Sequence, residues 1–375
     1  MARVIVAGAG FGGIATAAAL RLAASRDELD IVLVDRHHDF VMGLRKTWAA
    51  LGMGTLDDGR RALADIVGVT VEAGEIRRVN PQARAIEIDG RTLEGDALVL
   101  ALGARQAPEI IPGLAELGIN IWDPTQVERA RAAIASLGRG RLLIGIFGTP
   151  YSCPPAPFEF ALLARDRLGP TVEIAVFSPA PIALPVVGAS ESAKVERLLA
   201  DRGIAFLAGR QATSVAEHEV RFGDGPAEAF GVLLAIPPHR CPEVLVEAGL
   251  AQPGGWVKPD PQTLETVHGG VFAIGDCTVI TLANGLALPK AGIFAEQEGE
   301  VVAARIGARL AGREPTAVFG GEAFCYLETG GGQAALASGS FLADPVAVRI
   351  SDPTATALEE KREFERSRLR AWFGR

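Results

Sequence analysis

The chain has 375 residues, 49% hydrophobic and 22% charged, the balance of a globular protein rather than a disordered one. That length exceeds one compact core and suits two domains plus an extra segment. The net charge is −8 and no lysine/arginine cluster forms a nucleic-acid footprint, so a DNA or RNA partner is excluded from the expectations.

Strand-like and helix-like runs alternate along the chain, which predicts an α/β architecture with parallel sheets. The strand-like run Arg3–Ala7 begins directly after the start methionine and leaves no room for a signal peptide. No apolar run is long enough to span a bilayer, so a cytoplasmic location is expected. Ile14–Ala24 reads as a helix and Ile31–Val34 as a second buried strand. From Val69 to Ile88, short β-rich runs broken by Gly74 and Asn80-Pro81 predict a meander, and Ala97–Leu102 a further strand. A second cycle follows the turn-rich Pro108–Gly113. It predicts helices over Gln126–Leu137, Phe158–Leu168 and Ser190–Arg202, and strands over Arg141–Phe147, Val172–Phe177 and Ile204–Leu207. A second meander ends in Val232–Ile236, and the chain returns with Gly270–Ile274 and a long helical run from Lys290 to Leu310.

The first motif is GAGFGG: Gly8, Gly10 and Gly13 stand in G-x-G-x-x-G spacing, with Phe11 and Gly12 between, straight after a strand and opening a helix. Such glycines let the backbone approach a pyrophosphate seated on the positive end of the helix. Asp35, with Arg36 beside it, ends the next strand, where a carboxylate accepts from ribose hydroxyls. A dinucleotide site is expected here. The second motif is VFAIGDCT, where Gly275 keeps the backbone close and Asp276 can reach a polyol. With GAGFGG and the ALGA stretch that holds Ala101 and Gly103, it resembles the FAD signature of flavoprotein reductases, and Asp276 then contacts the ribityl chain. The third is LPKAG, around Lys290, opening the long helix. A helix N-terminus aimed at the flavin would favour its reduced anion by about 0.3 to 2 kcal/mol, with the Lys290 charge supplying any larger effect. The alternative is a proline-started helix with a solvated lysine.

Four cysteines, at 153, 241, 277 and 325, make neither a disulfide scaffold nor a zinc spacing, so no metal is expected. Cys153 lies in YSCPPAPFEF, where the second domain should carry its own glycine-rich loop. Three prolines there remove amide donors, a poor cradle for NAD(P)H. Cys153 precedes a predicted helix, which predicts a lowered thiol pKa. Taken separately, Cys153 and Cys325 read more readily as buried small hydrophobes than as reactive thiols. Cys241, Cys277, His239 and His268 read as packing or structural residues.

YSCPPAPFEF, LPKAGIFAEQ and AFCYLE, in that order around the FAD motifs, resemble sulfide:quinone oxidoreductases and the flavoprotein subunit of flavocytochrome c sulfide dehydrogenase. The resemblance implies two Rossmann-like dinucleotide-binding domains of the glutathione-reductase-like kind. The FAD domain would span 1–108 and 257–315, a degenerate second domain 109–256, and a C-terminal segment 316–375. It implies that Cys153 and Cys325 form a redox pair beside the flavin and that Glu159 handles protons. Sulfide, or a related small sulfur species, would be oxidised and the electrons passed through FAD to a quinone. The flavocytochrome subunit attaches its flavin through a cysteine in the region matching Phe40–Trp48; none stands here, so FAD should be non-covalent. A cytochrome c acceptor, a type II NADH:quinone dehydrogenase and a non-catalytic FAD-binding sensor are the alternatives. In the tail, Phe364, Leu369, Trp372 and Phe373 share one side of a helix. That suits an interfacial helix attached peripherally to the inner face of a membrane, a homodimer contact, or a cap on the domain below. The family's quinone pocket would draw on Phe324, Tyr326 and Phe341.

Overall fold

A computed structural model describes residues 1–374. In chain order, the first part contributes β1 (Ala2–Ala7), α1 (Phe11–Ala23), β2 (Leu29–Asp35), α2 (Arg45–Ala50), β3 (Thr70–Ala73) and β4 (Ala97–Leu100). The middle contributes β5 (Ile119–Asn120), β6 (Gly140–Ile146), α3 (Ala156–Leu168), β7 (Val172–Phe177), β8 (Ile204–Leu207) and β9 (Val232–Ile236). The chain returns with β10 (Val271–Ala273) and α4 (Gly292–Leu310), then forms β11 (Glu322–Gly330), β12 (Gln333–Ser340), β13 (Ala347–Ile350) and α5 (Ala355–Phe373).

Two five-stranded parallel sheets result, ordered β10-β4-β1-β2-β3 and β5-β9-β6-β7-β8. Each places its first long strand at the centre and winds outward both ways, so the carboxyl ends of β1 and β6 each open a crevice. The central strands are apolar on both faces, as parallel strands covered by helices must be: Val4, Ile5, Val6 and Ala7 are fully buried, as are Leu142, Leu143 and Ile144. The chain is therefore an α/β protein with two parallel sheets of the dinucleotide-binding kind.

Two meander expectations are corrected in part. β3, the first run of the Val69–Ile88 stretch, pairs in parallel with β2, and β9 pairs in parallel with β6. Only Ile76–Asn80, Ala85–Ile88 and Arg91–Glu94, and likewise Ala212–Ala216, Glu219–Phe222 and Glu228–Ala229, form antiparallel sheets. All five β9 positions are buried, the mark of a strand covered on both faces. Cys241, Leu245 and Ala251, grouped by sequence with the second domain, pack against Ile5, Val34 and Leu98 of the first sheet.

α1 and α4 lie against each other so closely that a Cβ on Gly299 would stand 2.6 Å from the Gly12 carbonyl oxygen. The tail is a cap, which corrects the interfacial-helix expectation. Leu369, Trp372 and Phe373 are buried in the core of the first sheet's helix layer. Trp372 meets Phe11 and Phe40 edge-on at 5.4 and 5.7 Å, and Phe373 stacks on Phe40 at 5.9 Å. Arg45 of α2 clamps Glu365 of α5 with two hydrogen bonds of 2.5 Å. Burying three such side chains contributes several kcal/mol at about 1.5–3 kcal/mol each, and leaves that side of the helix unavailable to lipid.

Candidate active site

At the carboxyl ends of β1, β4 and β10 lies a cavity of about 380 Å³. Gly10, Phe11, Gly12, Ala101, Gly103, Gly275, Asp276 and Lys290 line it. Gly8 and Gly13 stand behind the wall and make its turn possible. Gly8 has φ +103°, where a side chain is strained, and its Cβ would meet the Ala101 oxygen at 2.3 Å. Asp35 braces the same turn, accepting from the backbone N–H of Ala9 at 2.7 Å and of His37 at 2.8 Å. Arg36 is exposed and donates to His37 rather than entering the cavity.

The wall suits FAD. α1 has no side-chain cap and no acidic residue in its first turn, so its leading amides are free for a pyrophosphate. A Cβ on Gly10 would meet nothing within 4 Å, which leaves room for a ligand over the turn. α4 points a second uncapped N-terminus at the same space, through Ala291, Gly292 and Ile293. Lys290 lies two residues before that helix instead of opening it. Its ammonium, 5% exposed, donates to the carbonyls of Asp276 at 2.7 Å and Thr278 at 2.8 Å and sits 3.5 Å from the Trp256 ring centroid. The solvated-lysine alternative is thereby set aside. Burial lowers its pKa, against the pull of Asp276.

The second sheet supplies the other wall. The loop after β6 is stitched to the stretch before α4: Ser152 bridges Lys290, the Cys153 N–H donates to the Lys290 carbonyl at 2.6 Å, and Ser152 Oγ donates to Asp276. These contacts hold Cys153 at φ +54°, a left-handed conformation uncommon outside glycine and typical of functional sites. Opposite it, β11 presents Cys325. Both thiols are free and both line the cavity; the Cys325 thiol donates to the Tyr326 carbonyl at 3.8 Å, and each thiol is the strongest influence on the ionisation of the other. The pair ionises in two steps. The neighbouring Cys153 thiol holds Cys325 below the usual thiol range, and the same neighbour relation, with burial, holds Cys153 well above it. The lowered pKa expected for Cys153 from its helix is therefore corrected: its neighbour outweighs the dipole.

Behind the sulfurs lies a buried charge cluster. Lys361 of α5 donates to Glu159 of α3 at 2.7 Å and to Glu328 of β11 at 2.8 Å. Glu159 also accepts from the Glu328 backbone N–H at 2.8 Å, and Glu328 from the Trp48 indole at 2.6 Å. Burial alone would lower the Lys361 pKa, but the two carboxylates outweigh it and raise it. Glu159 is pushed up by burial despite Lys361. Glu159 and Lys361 both line the cavity, beside the cysteines. Sequence reasoning named Glu159 and missed Lys361, Glu328 and Trp48. A signal existed: Lys361 and Glu365 interrupt the apolar stripe Leu358, Leu369 and Trp372.

Phe324, Tyr326 and Phe364 form an aromatic wall, with centroids 5.7 and 5.9 Å apart around Phe324. Phe341 does not join them; it packs against Phe294 at 5.0 Å. Cys241 and Cys277 are buried outside the cavity lining, their thiols turned to backbone carbonyls. Burial pushes Cys277 up to about 12. His239 is buried and paired with the Pro237 carbonyl.

The profile of the pyridine nucleotide-disulphide oxidoreductase family matches residues 2–299. The mitochondrial sulfide:quinone oxidoreductase of Mus musculus is 24% identical over 369 residues, covering 92% of this chain and 79% of that protein. An NADH dehydrogenase-like protein of Mycobacterium tuberculosis is 28% identical over 248 residues, 60% of each chain. The solved sulfide:quinone oxidoreductase of the hyperthermophilic bacterium Aquifex aeolicus superposes with a TM-score of 0.89 at 22% identity, covering 100% of this chain and 92% of that one. With the family profile spanning both sheets and the FAD cradle between them, the chain belongs to the pyridine nucleotide-disulphide oxidoreductases, as an FAD-dependent enzyme similar to sulfide:quinone oxidoreductases.

Proposed function

We propose that this enzyme oxidises sulfide through a Cys153–Cys325 redox pair and passes the electrons by way of non-covalent FAD to a quinone drawn from the inner face of the membrane. The observation that carries the proposal is the meeting of two free cysteines from different elements on the wall of one cavity, the one that suits FAD. Hydrosulfide attacks one sulfur of the oxidised pair; a new S–S bond forms, the Cys153–Cys325 bond breaks, and the other sulfur leaves as a thiolate. A second hydrosulfide attacks the outer sulfur of that persulfide, carries it off as the shortest polysulfide and frees the second cysteine as a thiolate; the two thiolates then re-form their S–S bond and release two electrons. FAD, when bound, takes the two electrons and delivers them to the acceptor. Asp276 holds the ribityl chain, the first turn of α1 the pyrophosphate, and Lys290 the end of the site nearest α4. Glu159, made a weak acid by burial, exchanges the proton within the cluster that Lys361 and Glu328 complete. The aromatic wall offers a quinone ring flat apolar partners. No helix among the described residues is long and apolar enough to cross a membrane, so the quinone is met at the surface.

The Mycobacterium tuberculosis relative favours a second reading, NADH oxidation. Against it stands the crevice of the second sheet. Pro150, Pro154 and Pro155 offer no amide to a phosphate there, and α3 places Glu159 in its own first turn, where it opposes a phosphate. Anaerobic titration separates the two readings. Sulfide bleaches the flavin and NADH does not; Cys153→Ser and Cys325→Ser each slow the bleaching about a thousandfold or more with FAD still bound. Bleaching by NADH alone, or full activity of the double variant, would overturn the proposal.

A further inference from the structure

The two walls of the cavity meet at a hydroxyl that the reaction above does not use. Ser152 stands on the loop between β6 and α3 and lines the cavity. Its Oγ donates to Oδ2 of Asp276, a contact that crosses from the loop of the second sheet to that of the first. The Trp122 indole holds the Ser152 carbonyl at 2.8 Å, and the Ser152 backbone bridges Lys290. The next residue, Cys153, donates its N–H to the Lys290 carbonyl at 2.6 Å, and the Lys290 ammonium donates in turn to the Asp276 carbonyl at 2.7 Å. Ser152, Asp276, Lys290 and Cys153 therefore close a ring of contacts across both walls. A carboxylate accepts at about four sites, so Asp276, with Ser152 on Oδ2, keeps Oδ1 for a ligand hydroxyl.

We propose that Ser152 is a positioning residue that couples occupancy of the FAD site to the placement of Cys153. One hydroxyl aims the Asp276 carboxylate at the ribityl chain and anchors the loop that carries the thiol. The inference rests on reading Asp276 as the ribityl ligand. Cys153 stands at φ +54°, a conformation that persists only where its surroundings over-determine it, and the contacts to Asp276 and Lys290 are those surroundings. A ligand on Oδ1 fixes the carboxylate, the fixed carboxylate holds Ser152, and Ser152 holds the residue next to it. Coupling of this kind is reciprocal: an ordered loop presents a carboxylate already aimed, and strengthens FAD binding by the same factor. The thiol is then held in place only when the electron acceptor beside it is present.

The test uses the full chain, stripped of FAD by dialysis against potassium bromide and then reloaded. Hydrogen–deuterium exchange of the peptide over 147–155 reads the Cys153 amide, which the Lys290 carbonyl protects. FAD should slow that exchange at least about fivefold in the wild type. In Ser152→Ala, FAD affinity should fall about tenfold, the loss of one hydrogen bond to a charged group, and FAD should slow the loop by no more than about twofold. Once Asp276→Ala has removed the acceptor, adding Ser152→Ala should cost less than about twofold further in affinity. Equal exchange in the stripped and loaded wild type would overturn the proposal, a comparison that holds even where the variant does not fold. Wild-type affinity in Ser152→Ala, or losses that multiply in the double variant, would overturn it too. Undiminished affinity in Asp276→Ala would sink the ribityl reading itself, whereas a loss there with none in Ser152→Ala would sink the coupling alone.

Discussion

At the β1–α1 turn the chain places Gly8, Gly10 and Gly13, while at the matching β6–α3 turn it places Phe147, Pro150, Cys153, Pro154 and Pro155. Both turns leave the central strand of a parallel sheet and enter a thirteen-residue helix. At the first, no side chain caps the amides and Gly10 faces open space. At the second, Pro150, Pro154 and Pro155 fill the turn and offer no amides, and Phe147 and Phe177 pack edge-on in the core beside it at 5.1 Å. The helix there carries its own carboxylate, Glu159, in the first turn. The lesson is local. One scaffold serves a phosphate where its turn is bare and positive, and presents a thiol where the turn is filled and rigid.

The largest expected effect lies at the filled turn. Lys361→Met leaves Glu159 and Glu328 buried without their shared cation and should cost about 3–5 kcal/mol of stability, measured by denaturant unfolding. Glu328→Gln in the same chain should restore part of it, because a single carboxylate then remains to be satisfied. No loss in the single variant would show the cluster to be solvated. At the bare turn, Gly10→Leu fills the space over the amides. FAD affinity should fall at least about tenfold, roughly 1.4 kcal/mol, with the circular dichroism unchanged; undiminished FAD content would remove the pyrophosphate from this turn. A smaller effect probes the floor of the FAD site. Glu298 accepts from the Gly275 N–H at 2.6 Å, and burial pushes its pKa up to about 8 from 4.5. A raised carboxyl pKa means stability that is complete below about pH 4.5 and lost as pH climbs toward 8. Glu298→Gln should therefore match wild type near pH 4.5 and melt several degrees higher near pH 8; parallel melting curves at both values would refute the assignment.

Much of this was legible in the sequence, but unevenly. The alternation of runs and the glycine spacing at Gly8–Gly13 announced the first sheet and its crevice, because a single stretch of chain builds them. Cys153 and Cys325 could be paired only by resemblance; nothing in their spacing says that β11 would bring one sulfur to the other. Lys361, Glu328 and Trp48 went unseen for the same reason: each comes from a different element, and no local period links them. The tail shows the limit of an amphipathic pattern. It told which side of α5 is apolar, and only packing told that Phe11 and Phe40, not lipid, cover Trp372 and Phe373. β3 was misassigned because a four-residue run carries too little period to separate a parallel edge strand from a meander.

The central claim is that Cys153 and Cys325 exchange electrons with sulfide as one unit. A non-reducing peptide map of the oxidised, FAD-loaded enzyme, taken before and after one equivalent of sulfide without oxygen, addresses it directly. The expected result is a cross-linked peptide containing both residues that gives way to a persulfide on one of them. Two separate peptides before sulfide, or a cross-link that sulfide leaves intact, would contradict the account.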